Sequence, residues 1–322
     1  MPELYTYAVS RIHAKEAGLL NKTDIEQLLA VPSAEEALRL LTEKGYGSGE
    51  EYSGFSELKA AETVKLRSFI DELYIDKKPL GILLRQTDFH NLKTAVKLVY
   101  TAEKADGYFL ENGSVSPEVI LEAVKLKDFS ELPPFMTEAA QKAADGFSEN
   151  GDGQLLDIYL DRVCLETMLR EAADTRVGLI IEYTEMFAAL TNIKAAVRCA
   201  LTKKSRAFID EALAECGTLD AGRLAAAAAS GLDEIYKYLE FTDYKAAVDE
   251  LKISLSEFEK WMDNRLVDLI KSQKSNPFTI APVFAYILAK RTELRTVQII
   301  MSGKRNSLSE DVIRERIRDL YV

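Results

Sequence analysis

Apolar residues recur at helical spacing along almost the whole chain. Phe89, Leu92, Val96 and Val99, for example, follow one another at intervals of three and four residues. Positions three and four apart lie on one face of a helix, so the pattern predicts amphipathic helices that each bury one side. Alternation of apolar and polar residues, which is typical of half-buried strands, does not extend over a useful length. The sequence therefore predicts an all-α fold.

Capping residues mark where several of these helices begin. Thr23, Ser33 and Ser256 are each followed three residues later by glutamate, the pattern in which a hydroxyl and a carboxylate cap the first turn of a helix. Ser116 stands directly before Pro117, and proline is favoured at the first position of a helix. We therefore expect helices to begin just after these four hydroxyl residues.

One short segment occurs three times at equal spacing. Residues 91–97 read Asn-Leu-Lys-Thr-Ala-Val-Lys, residues 192–198 read Asn-Ile-Lys-Ala-Ala-Val-Arg, and a diverged copy lies at 293–298. The copies start 101 residues apart in both intervals. A repeat of this period predicts three homologous helical units, which stack because one unit cannot bury its apolar face alone.

Turn-rich segments follow each copy of the repeat and divide the chain into units of similar length. These segments are residues 105–107, 203–205 and 303–306. The predicted units are 1–105, 106–206 and 207–322. Three units of one kind can surround an axis with pseudo-threefold symmetry. The polar residues of the repeat are then interpreted in two ways, either as ordinary helix surface or as the lining of a concave surface around that axis.

Composition and charge narrow the class of protein. Hydrophobic residues make up 47% and charged residues 29% of the 322 residues, as in folded globular proteins. The net charge of −11 opposes binding to nucleic acid or anionic lipid. The longest uncharged run near the C-terminus, residues 275–289, contains two prolines and falls short of the roughly 20 residues of a membrane span. We expect a soluble, cytoplasmic protein without a transmembrane segment of its own.

Residues 290–318 are basic, although the chain as a whole is acidic. Residues 290–318 contain eight lysines and arginines against four aspartates and glutamates. This stretch is either a solvated helix face with internal ion pairs or a patch that meets an acidic partner.

The residues needed for catalysis or metal binding do not form a recognisable pattern. The glycines at 45, 47 and 49 lack the Lys-Ser/Thr that follows a phosphate-binding loop, so they predict a turn. The two histidines, His13 and His90, fall in different predicted helices, and the three cysteines show no Cys-x-x-Cys spacing. The sequence predicts no catalytic residues, no metal site and no cofactor.

Four motifs carry a resemblance to a known family. They are Tyr5-x-Tyr7-Ala8-Val9-x-Arg11-Ile12-x-Ala14, Leu28-Leu29-x-x-x-Ser33-x-Glu35-Glu36 leading to Gly45-Tyr46, Arg85-x-x-Asp88-x-x-Asn91-Leu92-Lys93, and Tyr286-x-x-x-Lys290-x-x-Glu293-x-x-x-Val297. Together with the length and the threefold repeat, they resemble the C subunit, also called the d subunit, of the V-type and A-type ATPases (ATP synthases). The third copy departs from the pattern, because Glu293 stands where the other copies have asparagine and Gln298 where they have valine.

The resemblance implies a specific fold and role. Members of that family are all-helical funnels of three pseudo-equivalent units. They sit on the cytoplasmic side of the membrane rotor ring and receive the foot of the central stalk, which the D and F subunits form. Such a protein hydrolyses nothing and transmits rotation during ATP-linked proton or sodium transport.

Repeat geometry then suggests which residues face the stalk. The candidate stalk-interface residues are the polar positions of the three copies and their neighbours: Arg85, Asn91, Lys93, Asn192, Lys194, Arg198, Glu293 and Arg295. Two other functions remain open from the sequence. One is a free-standing helical-repeat adaptor for soluble proteins, and the other is an all-α enzyme that uses paired carboxylates.

Overall fold

The computed structural model describes residues 3–101, 108–272, 276 and 278–322. Every regular element within these residues is helical, which confirms the predicted all-α class. The α-helices are α1 Glu3–Glu16, α2 Lys22–Ala30, α3 Ala34–Glu43, α4 Phe55–Asp71, α5 Arg85–Thr101, α6 Pro117–Leu126, α7 Pro134–Asn150, α8 Gly153–Thr175, α9 Gly178–Leu201, α10 Arg206–Ala212, α11 Ala221–Ser230, α12 Leu232–Leu239, α13 Ala247–Ile253, α14 Leu255–Lys271, α15 Ala281–Arg305 and α16 Glu310–Arg316. A 3-10 helix, Lys78–Leu84, precedes α5.

Two of the four predicted helix starts are confirmed. Ser33 caps α3 by accepting the Glu36 N–H, and α6 begins at the proline that follows Ser116. The starts predicted at Thr23 and Ser256 are wrong by two residues. Asn21 caps α2 and Ser254 caps α14. In both cases an earlier side chain also stands three residues before an acidic residue, and it accepts the backbone N–H of that residue.

The three copies of the repeat lie on three long helices, α5, α9 and α15. Equivalent apolar positions are buried in all three copies: Leu92, Ile193 and Leu294 at the second position, and Ala95, Ala196 and Val297 at the fifth. The sixth position is buried as valine in the first two copies, but Gln298 is exposed and accepts a hydrogen bond from Lys59. The apolar positions of the repeat therefore form an equivalent buried stripe on the three helices. The third copy differs at the sixth position, where its helix is exposed to solvent.

The chain divides into two compact units. Unit 1 comprises residues 1–76 and 254–322, and unit 2 comprises residues 77–253. In unit 1, α15 packs against α1, α3, α4 and α14, so the two ends of the chain share one core. In unit 2, α8 packs against both α5 and α9, and α9 packs against α11. The three-unit division remains a prediction, and its first boundary, at residues 105–107, lies outside the described residues.

Even the longest helices carry charges along their length. In the described part of the chain, none combines the length and the apolar character that crossing a bilayer requires. Residues 275 and 277, which belong to the uncharged run noted in the sequence, lie outside that part.

The same glycine-to-alanine substitution should have opposite effects at two positions. A Cβ on Gly303 would lie 2.5 Å from Cγ1 of Ile313, a buried core residue, whereas a Cβ on Gly146 in α7 would meet nothing within 4 Å. Gly303→Ala should cost about 1–3 kcal/mol through overpacking, and Gly146→Ala should add about 0.5–1 kcal/mol through helix propensity. Denaturation of both variants by urea checks this. Shifts of equal sign would contradict the packing described for α15 and α16.

Candidate functional site

The first position of the repeat is polar in each copy and buried in each copy. Asn91, Asn192 and Glu293 are 0%, 1% and 3% exposed. Both interpretations of the repeat expected exposed polar side chains here, and that expectation is wrong. A buried polar group requires a hydrogen-bond partner, so the partners of these three side chains explain the repeat.

Asn91 holds a connecting segment by a two-way hydrogen bond. Its Nδ2 donates to the Leu110 carbonyl at 2.9 Å, and its Oδ1 accepts the Leu110 N–H at 2.8 Å. Asn192 does the same for Ala214, with distances of 2.7 and 2.9 Å. An amide suits this role because it offers a donor and an acceptor side by side, as a peptide group does.

Glu293 performs the related task in the third copy with different chemistry. An ionised carboxylate can only accept hydrogen bonds. It accepts the backbone N–H of Leu20 and the hydroxyl of Tyr46, and its charge is matched by Lys290, whose Nζ lies 2.8 Å away. The substitution of asparagine by glutamate therefore accompanies a change of partner, from one peptide group to a backbone N–H, a phenol and an ammonium group.

Each of these contacts fixes the segment that leads into the next short helix. Leu110 and Ala214 both lie seven residues before a helix start, at Pro117 of α6 and Ala221 of α11. Leu20 lies two residues before the start of α2. In the three units predicted from the sequence, these segments lie near the start of the second, the third and the first unit, respectively.

A second buried network reinforces the anchor on α5. Nη1 of Arg85 donates to Asp88 and to Ser114, both at 3.0 Å, and its Nε donates to Glu171 on α8 at 2.9 Å. The guanidinium carbon lies 3.8 Å from the centre of the Phe135 ring. A planar cation can form such a fork of hydrogen bonds and stack on a ring at the same time, which lysine cannot. Arg85 therefore joins α5, α7 and α8.

Asp88 continues the network along the same connecting segment that Asn91 holds. Its carboxylate accepts the backbone N–H groups of Ser114 and Val115 and the Ser114 hydroxyl, at 2.6, 3.2 and 2.6 Å. A Cβ on Gly113 would lie only 2.7 Å from Oδ1 of Asp88, so the chain approaches the carboxylate closely where a side chain is absent. Arg85, Asp88 and Asn91 are spaced three residues apart and act from one face of α5.

In unit 1, Lys290 lies between two buried carboxylates. Its Nζ is 2.9 Å from Glu62 and 2.8 Å from Glu293, and it lies 3.9 Å from the centre of the Tyr46 ring. Lys65 adds a second cation to Glu62 at 3.1 Å. The charges of two carboxylates are thus matched by those of two ammonium groups. Buried ions are tolerated when they are paired in this way.

These neighbours determine how the buried acids titrate. Burial by itself raises the pKa of the Glu62 carboxyl, but the charge and hydrogen bond of Lys290 outweigh it and hold that pKa below its ordinary value. Burial, followed by the charge of Glu293, raises the pKa of the Tyr46 phenol far above its usual range. Glu62 is therefore ionised and Tyr46 protonated at neutral pH, which suits a structural ion network rather than a catalytic acid and base.

The described residues offer little for covalent or metal chemistry. Burial raises the pKa of the thiols of Cys164, Cys199 and Cys216, so these cysteines carry protonated, weakly nucleophilic thiols. No group of three or more histidine, cysteine, aspartate or glutamate side chains in the described ranges could hold a metal ion.

The eight predicted interface residues fall into two groups by burial. The buried ones are Arg85, Asn91, Asn192 and Glu293. The partly or fully exposed ones are Lys93, Lys194, Arg198 and Arg295. Lys93 forms an ion pair with Asp161 at 2.7 Å, and Arg295 forms one with Asp263 at 2.8 Å. The structure joins Arg85 and Asn91 through one connecting segment, whereas Glu293 and Arg295 belong to the other unit.

Sequence reasoning did not assign four members of the buried networks to a site. They are Tyr46, Asp88 and Lys290, which it named only as residues of the family resemblance, and Glu62, which it did not name. Asp88 stands three residues from both Arg85 and Asn91, and this spacing indicates that it shares their helix face. Glu62 and Lys290 lie far apart in the sequence, and their pairing is not marked by a local pattern.

Removing the amide of Asn192 should destabilise unit 2. Asn192→Ala leaves the N–H and the carbonyl of Ala214 buried without their partner, which costs about 1–3 kcal/mol for each unpaired group. Leu201→Ala on the same helix is the matched control, because Leu201 is exposed, and a surface change should stay within about 0.5 kcal/mol. Urea denaturation gives both values. If the two variants were equally stable, Asn192 would not be an anchor.

Replacing Glu62 with glutamine should reduce the loss of folding stability that occurs as the pH is lowered. Because the folded-state pKa of Glu62 lies below the ordinary value of 4.5, its ionised form contributes stability above that pH. The contribution is lost as the pH falls through the lower folded-state value. We expect Glu62→Gln to be less stable than the wild type at neutral pH and to approach it in acid. Urea midpoints measured from about pH 7 to about pH 3 check this window.

The control for this pH profile is Glu122→Gln, which changes an exposed carboxylate on α6. It should retain the wild-type dependence on pH. If the urea midpoint of Glu62→Gln changed with pH in the same way as that of the wild type, this would contradict the ion network described for unit 1.

Comparison with known proteins agrees with the resemblance predicted from the sequence. The family described as ATP synthase (C/AC39) subunit matches residues 8–316. The chain is 25% identical to the C subunit of the V-type sodium ATPase of Enterococcus hirae, over 96% of this chain and 97% of that protein. It is also 25% identical to the C subunit of the A-type ATP synthase of Haloquadratum walsbyi, covering 96% of both chains. The C subunit of the V-type ATP synthase of Deinococcus radiodurans is 23% identical, over 99% of this chain and 92% of that protein. The similarity spans the copies on α5, α9 and α15, and the chain belongs to the ATP synthase (C/AC39) subunit family.

Proposed function

We propose that this chain is a non-catalytic central-stalk subunit of a rotary V/A-type ATPase. It acts as a socket that couples the central shaft, formed by the D and F subunits, to the membrane rotor ring. In this role it transmits rotation during ATP-linked transport of protons or sodium ions. It lies at the cytoplasmic face of the membrane and is held there by the complex rather than by a span of its own.

One observation carries the proposal beyond family membership. Each repeated helix anchors the segment that opens the next copy, and Glu293 of the third copy anchors Leu20 at the opening of the first. A cyclic order of three equivalent anchors supports three units around one axis, which is the funnel that a socket requires. The axis would be the place where another polypeptide is received.

The kind of anchor also suits a part that transmits torque. Buried hydrogen bonds and ion pairs hold one geometry, because breaking one leaves a polar group unpaired in the interior. The three connecting segments are fixed by such bonds at Leu110, Ala214 and Leu20. A coupling protein with loosely tethered units would absorb rotation instead of passing it on.

The solvent-accessible cations of the three copies are the proposed contacts with the stalk. Lys93, Lys194 and Arg295 occupy the same position of the repeat, two residues after the buried anchor, and Arg198 lies one helical turn beyond Lys194. Around a common axis, three equivalent positions would present a ring of positive charge. Such a ring favours an acidic surface on the partner and would speed its docking.

Neutralising this set should weaken recovery of the stalk from native membranes. The quadruple variant Lys93→Gln, Lys194→Gln, Arg198→Gln and Arg295→Gln removes four positive charges. We expect at least about a tenfold loss of the stalk's D and F subunits in affinity purification, since interface charges contribute on the order of a kcal/mol each. The measurement is quantitative mass spectrometry of the co-purified proteins.

The matched control removes four exposed lysines outside the repeat: Lys125, Lys142, Lys237 and Lys252. It should recover the stalk as the wild type does. Equal recovery of D and F by both variants would contradict the proposed contacts while leaving the family role intact. A wild-type chain purified without any other component of a rotary ATPase would instead favour a free-standing adaptor.

A further inference from the structure

Unit 1 contains a cavity of about 160 Å³ beside the Lys290 network. At roughly 10–15 Å³ for each water position, it has room for on the order of ten water molecules. Its walls come from α1, α4 and α15 and from the turn after α3. Four lysines line it, Lys15, Lys44, Lys65 and Lys290, against a single carboxylate, Glu62. A cavity with this lining favours an anionic ligand.

Two of the four lysines already use their hydrogen-bonding capacity inside the protein. Lys65 donates to the carbonyls of Gly45 and Gly47, at 2.6 and 3.3 Å, and to Glu62. Lys290 lies between its two carboxylates and against the Tyr46 ring. Each ammonium group has three donors, so these two offer little to a ligand and serve instead to keep Glu62 neutralised.

The other two lysines retain donors. Lys44 forms an ion pair with Asp24 and uses one of its three N–H groups there. Lys15 forms no ion pair with any residue in the described part of the chain, and its Nζ lies 5.3 Å from the centre of the Phe69 ring. Asp24, Glu62 and Glu293 each form an ion pair with one or two of the other three lysines, so Lys15 is the one lining lysine without an ion pair among the described residues.

Tyr286 adds a neutral donor to the wall of the cavity. Its side chain lines the cavity and is only 6% exposed. The ring is held edge-on against Phe69, with centroids 6.0 Å apart. The hydroxyl is not among the described buried atoms that lack a hydrogen-bond partner, so it keeps contact with solvent. A phenol held in place at a cavity wall can therefore donate to a molecule in the cavity.

Three carboxylates lie near the Tyr286 phenol. After burial, the charges of Glu293, Glu62 and Glu16 raise the pKa of this phenol, so it stays protonated and can donate. Glu62 is bonded to Lys65, Lys290 and the Gly47 N–H. Glu16, the remaining carboxylate close to Tyr286, accepts the hydroxyl of Tyr321 and lies 2.8 Å from Nδ1 of His13. Carboxylates held by their own donors present little free charge to a ligand.

We propose that this cavity binds a small oxyanion of the phosphate class. Lys15 and Lys44 supply charged donors, and the Tyr286 hydroxyl supplies a neutral one. A phosphate group has several acceptor oxygens and no preference for one direction, so it can meet donors that line one cavity from different elements. The three residues come from α1, the end of α3 and α15, so a bound oxyanion ties both ends of the chain together.

The test uses the purified full-length chain and inorganic phosphate. Isothermal titration and thermal denaturation are performed in sodium phosphate and in sodium chloride of equal ionic strength. We expect saturable binding and a rise in Tm with phosphate alone, because a ligand that binds only the folded state stabilises it. Glycerol 3-phosphate, tested in parallel, identifies whether the oxyanion is a free ion or the phosphoryl end of a larger molecule.

Two variants locate the site. Lys15→Gln and Tyr286→Phe should each weaken phosphate binding by about tenfold or more, since one hydrogen bond to a charged group is worth at least that much. Lys125→Gln and Tyr74→Phe make the same chemical changes at exposed positions and should bind as the wild type does. Stabilisation by chloride equal to that by phosphate, or unchanged affinity in both site variants, would overturn the proposal.

Discussion

The fold depends on satisfying the backbone of its connecting segments. Chain that passes between packed helices leaves peptide groups without helical partners, and a buried peptide group must be paired. This protein solves the problem three times with one helix position, at Asn91, Asn192 and Glu293. The buried apolar stripe of each helix fixes the position of the helix, and the helix fixes the position of its polar side chain. The connecting segment bound by that side chain therefore has one defined path. Helix packing and loop geometry are thereby set together.

The third anchor explains why the ends of the chain belong to one unit. Glu293 reaches a backbone group 273 residues earlier in the sequence, and its Lys290 neighbour pairs with Glu62 on α4. Both contacts are buried, so separating the two ends of the chain would leave charged side chains without their partners in the interior. The neighbouring cavity lies where α1, α3, α4 and α15 converge, and its lysines continue the same concentration of charge. The ion network and the cavity are therefore two consequences of bringing the termini together.

The sequence predicted the parts of this structure that depend on local chemistry. Helical spacing around Leu92 and Ile193, and the helix starts after Ser33 and Ser116, are decided within a few residues and were confirmed. The starts predicted at Thr23 and Ser256 failed because two capping patterns overlap there. Asn192 was expected at the surface because polarity is the usual sign of exposure, and only its partner 22 residues away reveals the reverse. Pairs such as Glu62 and Lys290 are invisible to any local pattern.

The division of the chain has a consequence for the order in which the protein is made. Unit 2 is one continuous stretch, residues 77–253, whereas unit 1 needs residues from both ends. A ribosome releases α1 to α4 before unit 2, and α15, which carries Lys290 and Glu293, emerges only after unit 2. Until then Glu62 and the Leu20 backbone lack the groups that pair with them, so the opening segment must wait while the middle of the chain folds. Once α15 has emerged, Lys290 and Glu293 supply the partners of Glu62 and of the Leu20 backbone and complete the core of unit 1.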